Sequence, residues 1–433
     1  MEPILIGILG IIFLLIIIAL GVHIGIALGV TGFLVMAFIM GMNTAIRMAT
    51  ESIYFANSSY ALVTLPLFIL MGYLGAGGGI SKTLYDGLSK WTGKLRGSLG
   101  IATVLGCAGF GAVCGSSIVT AAVFAKVSAP EMRRHGYHKK VAYGLCSAAG
   151  SIGMLIPPSI LAVLYGVLTG LSVGKLLVAG IGPGLLLTLL FSLQIYFTSR
   201  FRPDLITQAT KEATWRERIA AIPTFWPVIV TAFVIFGGIF SGVFSPTEAS
   251  AVGTLVIFLL LVVTKRRKSW NMLKDSLKDT ASTAAMVFLT MGGACLFSRS
   301  LVATDLSEKI VEIILGLHMG NFSLVFLLVV VYLFLGCLMD SISMLTITLP
   351  ILNPVIVKLG IDPYYFALLV IVSTQVGIIT PPFGLSVFTV KGVAEPDVTL
   401  EDIFSGAMSY FYIMVASIVI LMLFPFLITG LIS

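Results

Sequence analysis

Charge is scarce in this sequence. Only 10% of its 433 residues are Asp, Glu, Lys or Arg, whereas 58% are hydrophobic. A soluble domain of this length needs more charge to cover its surface. The net charge of +7 arises from basic residues in short connectors, which argues against nucleic-acid binding. Uncharged stretches such as 4–21 are long enough to cross a bilayer, so we predict an all-α polytopic membrane protein.

Motifs for metal or acid–base chemistry are also missing. The five cysteines lie in apolar stretches, and none has a zinc-like spacing with any of the four histidines. There is no His-Glu-x-x-His motif and no pair of aspartates in facing spans. We therefore predict that the chain is not an enzyme, has no organic cofactor and keeps its cysteines as packed thiols: Cys107, Cys114, Cys146, Cys295 and Cys337.

Long apolar segments follow one another along the whole chain. Two of them, 98–129 and 322–357, are interrupted by polar residues, and each half is short for a full crossing. We interpret these two segments as re-entrant hairpins. Full spans are predicted near residues 4–21, 22–42, 60–77, 141–170, 176–198, 226–242, 247–264, 281–297, 365–391 and 403–430.

Basic residues mark one side of the predicted membrane protein. With this list of spans, the basic clusters at 94–96, 133–140, 200–218 and 265–268 all fall on one face. The opposite loops are short and nearly uncharged. The positive-inside rule assigns the basic face to the cytoplasm. Both termini are then predicted to be periplasmic.

The two halves of the sequence align at a constant offset of 224 residues, without a gap from 117 to 182. With the topology above, the two copies have opposite orientations. Inverted repeats with interrupted helices are typical of secondary transporters, whose binding site lies near the midplane. The matched pairs are Ser117 with Ser341, Pro130 with Pro354, Gly153 with Gly377, Pro157–Pro158 with Pro381–Pro382, and Gly182 with Gly406.

The repeat divides the chain into four predicted segments. Scaffold helices occupy 1–59, the first repeat 60–198, a linker with further scaffold helices 199–280, and the second repeat 281–433. Each repeat contains an amphipathic arm helix, a hairpin and a broken helix, in that order. These lie at 80–95, 98–129 and 141–170 in the first repeat, and at 302–317, 322–357 and 365–391 in the second.

The interruptions determine the expected chemistry. A Pro-Pro pair removes two backbone donors, so carbonyls upstream lose their helical partners and become available to a cation such as Na⁺. The helix that restarts after each break offers free N–H groups to a carboxylate or sulfonate. Candidate substrate contacts around these breaks are Ser116, Ser117, Thr120, Ser159, Ser341, Ser343 and Pro382.

Alternative structural roles remain open for these residues. A single Gly or Ser in a membrane helix more often serves close packing than ligation. The recurrence of Pro-Pro in inverted positions favours function for the breaks themselves. Asp340 is the most informative charge, because a carboxylate at mid-membrane depth is a functional candidate by default. It either caps the second half of its hairpin or binds a cation.

Four motifs give the chain a family resemblance that covers essentially its whole length. GSSIVTAAVF, GSIGMLIPPSI, LGCLMDSISMLTITLPIL and GIITPPFGLSVFTVKG resemble the large membrane subunit of tripartite ATP-independent periplasmic (TRAP) transporters. The resemblance implies Na⁺-coupled uptake of a small organic acid anion across the bacterial inner membrane by an elevator mechanism. C4-dicarboxylates, sialic acid and sulfonates are substrates within the family.

The resemblance also implies partners and ion sites. The partners are a periplasmic substrate-binding protein and a small four-helix membrane subunit, which we expect as a separate chain because this sequence begins with its first span. A partner-independent Na⁺/anion symporter or channel is the alternative. Two or more Na⁺ ions are implied. One site would involve Gly115, Ser117, Gly153 and Pro157, and a second Gly336, Asp340, Ser341, Gly377 and Thr380.

Overall fold

The computed structural model describes residues 2–93, 95–206, 213–266, 268–306, 308–309, 312, 316, 319–382 and 384–432. Within these residues the fold is helical, with one isolated β-bridge between Tyr137 and Ile206. Two short 3₁₀-helices, Tyr60–Val63 and Ile222–Phe225, precede α4 and α15. The α-helices are α1 (Pro3–Ala19), α2 (Ile24–Met40), α3 (Met42–Asn57), α4 (Thr64–Gly77), α5 (Ile80–Thr92), α6 (Ser98–Cys114), α7 (Ser117–Val127), α8 (Ala129–Arg134), α9 (Lys139–Ala149), α10 (Ile152–Leu155), α11 (Ile160–Thr169), α12 (Val173–Ala179), α13 (Ile181–Phe201), α14 (Trp215–Ala221), α15 (Trp226–Phe240), α16 (Pro246–Lys265), α17 (Lys268–Ala303), α18 (Asn321–Gly336), α19 (Ser341–Lys358), α20 (Pro363–Gly377), α21 (Leu385–Val393), α22 (Leu400–Leu423) and α23 (Phe426–Thr429).

Helix length and composition agree with a membrane-spanning chain. Among the described residues, seven helices are long and apolar enough to cross a bilayer, and a pair bent by 45° at the first Pro-Pro break gives an eighth. Large apolar side chains such as Phe38, Phe233 and Val263 remain exposed, as lipid contact requires. The predicted all-helical polytopic fold is confirmed. One arm of the second predicted hairpin, α19, is itself long enough to cross, so length does not separate re-entrant arms from spans.

The N-terminal helices pack closely against α17. A Cβ added to Gly25 of α2 would lie 2.8 Å from the Thr290 Cα, and one added to Gly293 of α17 would lie 2.1 Å from the Gly25 carbonyl oxygen. Glycine is required here because the two backbones are in direct contact. Helix α3, which lies within the predicted scaffold segment, was not predicted as a separate helix; it also packs on α17.

Helix α17 is much longer than the predicted span at 281–297. It runs for 36 residues from Lys268 to Ala303. The predicted boundary between residues 280 and 281 therefore lies inside a continuous helix, and the predicted arm at 302–317 begins in the last turn of that helix. Residues 307, 310–311, 313–315 and 317 of this range lie outside the described residues. The arm predicted at 80–95 corresponds to α5, which ends at Thr92.

Two helical hairpins form where the sequence has its interrupted apolar segments. In the first, α6 and α7 pack together, with the rings of Phe110 and Phe124 6.0 Å apart, and the turn lies at Gly115–Ser116. In the second, α18 and α19 meet where the Tyr332 hydroxyl lies 2.6 Å from the Thr348 hydroxyl. The turn of the second hairpin, 337–340, is longer than that of the first.

Positions 224 residues apart have the same structural role, which makes the two halves structural repeats. The cap before the second arm of each hairpin and the cap before each broken helix both obey this offset, as do left-handed glycines just upstream of the broken helices. The pairs are Ser116 with Asp340, His138 with Asp362, and Gly136 (φ +80°) with Gly360 (φ +65°).

The two repeats interlock rather than lie side by side. Helix α7 of the first hairpin packs against α21 of the second broken helix, and α19 of the second hairpin packs against α11 of the first broken helix. Where the broken helices meet, the Ser386 hydroxyl donates to the Ser147 carbonyl oxygen at 2.8 Å. Each interrupted element therefore contacts its own repeat and its counterpart.

An ionic cluster joins the repeats at the face predicted to be cytoplasmic. Arg133 binds Asp397 at 2.9 Å and also binds Glu395, while Lys139 binds Asp402 at 2.7 Å. The hydrogen bond from Arg133 lowers the pKa of Asp397 below its usual value. The cluster ties α8 and the start of the first broken helix to the segment that follows the second broken helix and to the start of α22.

Candidate functional site

The tip of the first hairpin is in backbone contact with the first Pro-Pro break. Gly115 adopts φ +64°, and a Cβ added there would lie 2.3 Å from the Pro158 carbonyl oxygen. The Ile160 N–H donates to the Gly115 carbonyl oxygen at 3.4 Å. One turn earlier, a Cβ added to Gly111 would lie 2.7 Å from the Gly153 Cα. The structure thus brings together the tip and the break that the family resemblance paired.

A buried hydroxyl at this contact has no oxygen or nitrogen partner among the described atoms. Thr120 Oγ1 is fully buried and lies 2.5 Å from where a Gly153 Cβ would be. Its contact with the Cys114 thiol is weak, because sulfur is a poor hydrogen-bonding group. An unsatisfied buried oxygen costs about 1–3 kcal/mol, so a bound cation here would remove a real penalty. Ser117, also buried, has its carbonyl oxygen 2.7 Å from where a Gly150 Cβ would lie.

The other two predicted serines of the first repeat cap helices. Ser116 Oγ accepts from the Val119 N–H at 3.4 Å at the start of α7, and Ser159 Oγ accepts from the Ala162 N–H at 3.2 Å at the start of α11. Capping uses the oxygen as an acceptor and leaves each hydroxyl hydrogen free to donate. Both positions therefore combine a helix N-terminus with a hydroxyl donor, which suits an anion.

The second hairpin meets the second break in the same way. A Cβ added to Gly336 would lie 2.9 Å from the Gly377 Cα, and one added to Gly377 would lie 2.4 Å from the Gly336 Cα. The Cys337 thiol lies beside the Thr380 hydroxyl. Thr380 Oγ1 already donates to the Val376 carbonyl oxygen at 2.7 Å. The second tip and break are thus also in backbone contact.

Asp340 caps the second arm of its hairpin. One carboxylate oxygen accepts from the backbone N–H groups of Ile342 and Ser343, both at 3.1 Å, and the other accepts from the Ser343 hydroxyl. The capping interpretation is confirmed, and the Ser343 hydroxyl is committed to it. Cation binding stays a prediction, because a carboxylate has about four acceptor positions and these bonds use three. Ser341 is buried at the start of α19.

The two Pro-Pro breaks differ in exposure. Pro157, Pro158 and the following Ser159 are buried, whereas Pro381 and Pro382 are exposed. Both Pro-Pro peptide bonds are cis. The first break is therefore closed and the second open in this conformation.

Sequence reasoning missed one buried polar group near the second break. Gln375 is fully buried two residues before Gly377; its Nε2 donates to the Thr374 hydroxyl at 3.3 Å, and its Oε1 has no partner among the described atoms. The signal was present, because Gln375 is the only amide side chain in α20. An orphaned amide oxygen beside a helix break is a second candidate cation ligand.

The fold defines the class of protein: a polytopic α-helical membrane protein. A structure of the YdaH transporter from Alcanivorax borkumensis covers 98% of this chain and 98% of its own, with a TM-score of 0.63 at 16% sequence identity. This similarity concerns the fold alone.

Sequence comparison gives the family. Residues 11–427 match the family described as "Tripartite ATP-independent periplasmic transporter, DctM component". The C4-dicarboxylate TRAP transporter large permease protein DctM of Pseudomonas aeruginosa is 32% identical, over 81% of each chain. The sialic acid TRAP transporter large permease protein SiaM of Vibrio cholerae is 31% identical, over 84% of each chain. The chain belongs to the DctM family of TRAP transporter large permeases.

Family membership confirms the predicted resemblance and several broader predictions. The protein is an integral membrane permease of the solute-uptake type, and its relatives are transporters, not enzymes. The tripartite nature of the family implies partner components.

Proposed function

We propose that this chain is the membrane permease of a Na⁺-coupled system that takes up a small organic acid anion across the bacterial inner membrane. A periplasmic binding protein would deliver the substrate, and a small four-helix subunit would complete the membrane complex. The observation that carries the proposal is the pair of hairpin-to-break contacts, Gly111 on Gly153 and Gly336 on Gly377, at near-equivalent places in the two repeats. The relatives named for C4-dicarboxylate and sialic acid transport support an organic acid as substrate.

The first Na⁺ site would lie between the first tip and the first break. Its proposed ligands are carbonyl oxygens near Gly115, Ser117, Gly153 and Pro157. To these we add the unpartnered hydroxyl of Thr120, which was predicted as a substrate contact but lies against Gly153. Neutral oxygens at close quarters suit a monovalent hard cation. The backbone contact explains why glycines are needed, since any side chain would fill the space.

The second Na⁺ site would lie between the second tip and the second break. It differs in having a carboxylate, Asp340, beside Ser341 and the backbone contact of Gly336 with Gly377. Thr380 would contribute its hydroxyl oxygen, which keeps an acceptor position while donating to Val376. A carboxylate and a Na⁺ ion compensate each other's charge, which makes this the stronger of the two proposed sites.

The substrate anion would bind between the sites, near the helix N-termini. The hydroxyls of Ser116, Ser117 and Ser159 are the proposed donors in the first repeat. In the second repeat, Ser341 and the exposed break at Pro382 are the proposed contacts for the substrate. The Ser343 hydroxyl donates to Asp340 and therefore acts through that carboxylate. Bound Na⁺ ions would add positive charge to these neutral donors.

Transport would follow an elevator movement of the interlocked repeats against a scaffold. The predicted moving segments are 60–198 and 281–433, and the predicted scaffold segments are 1–59 and 199–280. Because α17 crosses the second boundary and is locked to α2 by glycine contacts, we place α17 with the scaffold. The topology proposed for the chain has both termini in the periplasm.

The proposal is tested with purified subunits in proteoliposomes. Uptake of a radiolabelled acid such as succinate, sialic acid or 2-hydroxyethanesulfonate is measured with and without an inward Na⁺ gradient, and with and without a periplasmic binding protein specific for that acid. We expect uptake only when both are present. Uptake that persists without both would contradict the proposal and favour a partner-independent symporter or channel. A chain that moves none of the acids under any condition would also contradict it.

A further inference from the structure

We propose that a cavity of about 320 Å³ beside the second hairpin is an anion subsite, in which the Arg299 guanidinium binds the carboxylate or sulfonate group of the travelling substrate. The inference rests on the proposed function and adds to it a specific cationic contact outside the tip-to-break sites. Its polar lining consists of Ser59, Cys295, Ser298, Arg299 and Thr346.

Most of the N–H donors of the Arg299 guanidinium are not used by its ion pair with Glu51. Its contact to Glu51 on α3 is 3.8 Å long, near the limit for an ion pair, and the Glu51 side chain is 50% exposed. A guanidinium carries five N–H donors, and one loose ion pair leaves most of them available. Among the described residues, Glu51 is the only carboxylate within ion-pair distance of Arg299. The cavity therefore contains an incompletely neutralised cation.

The alternative explanation is structural: the Arg299 side chain would extend from an apolar helix so that its charge reaches the membrane surface. Arginines near helix ends do this commonly. Here, however, the side chain is only 32% exposed and forms part of a cavity wall built from four helices. An arginine in such a position is a functional candidate, because a charge away from bulk water needs a partner. A bidentate oxyanion is the partner that a guanidinium binds best.

The position of the cavity connects it with the proposed transport path. One wall comes from α3 and α17, which we place in the scaffold. The other comes from α11, the helix that follows the first break, and from α19, the helix that follows the second tip. Thr346 in the wall donates to the Ser343 carbonyl oxygen at 2.9 Å, and Ser343 binds Asp340. An anion on Arg299 would thus lie one to two helical turns from the second tip.

Cavity size favours a small acid. A volume of about 320 Å³ is at the lower end of the range for ligand pockets, which is roughly 300–1,000 Å³. Ser59, Ser298 and Thr346 add hydroxyl groups around the guanidinium. The arrangement suits one acidic group with a few hydroxyl contacts. Neither hairpin tip contains an arginine that could pair with an anionic substrate, and Arg299 would supply this positive charge from outside the tips.

A native cysteine provides the test. Cys295 lies one helical turn from Arg299, lines the same cavity and is half-buried. The full chain in proteoliposomes is treated separately with the anionic reagent 2-sulfonatoethyl methanethiosulfonate and the cationic reagent 2-(trimethylammonium)ethyl methanethiosulfonate. Modification of Cys295 is followed by peptide mass spectrometry. The ratio of the two rates cancels the intrinsic reactivity of the thiol and reports the local potential.

In the unmodified chain, we expect Cys295 to prefer the anionic reagent. Arg299→Gln should lower the anionic-to-cationic ratio by about tenfold, because a positive charge at this distance acts on both reagents with opposite sign. Arg299→Lys should keep most of the preference. Glu51→Gln should raise it, since the competing carboxylate is removed. Cys337, which does not line this cavity, is measured in the same samples as the internal control.

Three results would overturn the subsite: equal rates for both reagents in the unmodified chain, an unchanged ratio in Arg299→Gln, or no modification of Cys295. Glu51→Gln changes a half-exposed side chain, so this variant should fold and its labelling can be interpreted even where Arg299→Gln fails to fold. A lowered anionic-to-cationic ratio in Glu51→Gln also contradicts the subsite. The labelling does not depend on uptake. Charge preference without uptake would refute the proposed function alone, and uptake without charge preference would refute the subsite alone.

Discussion

The two repeats use the same architecture with different chemistry. The second helix of each hairpin begins with a different N-cap: the neutral Ser116 in the first repeat and the carboxylate of Asp340 in the second. The first break is buried while Pro381 and Pro382 of the second are exposed. Since the backbone contacts of tip and break are alike, the difference lies in charge and access. We infer that the first site is closed and neutral, and the second open and acidic.

The comparison teaches why the repeats are not interchangeable. A neutral site must build its affinity for a cation from uncharged oxygens alone. In the first repeat these are the proposed carbonyl ligands and the Thr120 hydroxyl, a side-chain oxygen without an oxygen or nitrogen partner among the described atoms. An acidic site obtains affinity from charge, which tolerates greater exposure to water. Each of the following experiments changes one side of this contrast.

The largest effect is expected from Gly115→Ala. The new methyl group would lie 2.3 Å from the Pro158 carbonyl oxygen, at φ +64°, so both the contact and the backbone conformation are unfavourable. We expect a loss of about 3 kcal/mol in stability or more, with uptake reduced to background. Gly77→Ala is the matched control, because nothing lies within 4 Å of a Cβ there. Normal uptake by Gly115→Ala would show that the first tip is not closed on its break.

Native cysteines at the two tips test the difference in access. Cys114 is 1% exposed next to the first tip, and Cys337 is half-buried at the second. We expect N-ethylmaleimide to modify Cys337 at least about tenfold faster than Cys114, as judged by peptide mass spectrometry, because reaction requires solvent access. Equal rates at the two positions would remove the contrast between a closed and an open site.

The equivalent caps separate capping from cation binding. Asp340→Asn keeps much of the cap, because Asn is itself a good N-cap, but removes the charge. We expect the Na⁺ concentration for half-maximal uptake to rise about tenfold. Ser116→Ala should instead reduce stability by about 1 kcal/mol with little change in Na⁺ dependence. If Asp340→Asn leaves the Na⁺ dependence as it is, Asp340 only caps its helix.

The smallest expected effect concerns the two threonines. Thr120→Val removes a hydroxyl that has no partner, so stability without Na⁺ should stay the same or rise, while half-saturation by Na⁺ should increase about threefold. Thr380→Val removes a hydroxyl that donates to Val376, and should lower stability instead. Thermal unfolding of both variants, with and without Na⁺, measures the change in stability and the stabilisation that Na⁺ adds. Loss of stability in Thr120→Val without Na⁺ would argue against an orphaned hydroxyl.

Much of this fold was predictable because its signals are local or periodic. Glycine, proline and capping residues act on their immediate backbone, so the turn at Gly115–Ser116 and the Pro-Pro breaks could be located from sequence. The offset of 224 residues carried the same information twice. Helix α3 was missed because polar residues interrupt its apolar ones, and only two of its residues, Ala45 and Ser52, become buried in the packed structure.

The sequence alone determined the helical membrane class and the two interrupted repeats, since apolar length and backbone chemistry are written residue by residue. The pairing of each hairpin with its break was implied by the family resemblance, and the structure brings each pair into contact. Only the tertiary structure decided that Thr120 and Gln375 lack partners, that α17 continues past the predicted boundary and that Arg299 faces a cavity. Whether a polar atom is satisfied or a charge is enclosed depends on neighbours that are distant in the chain, and these become known only when the helices have packed.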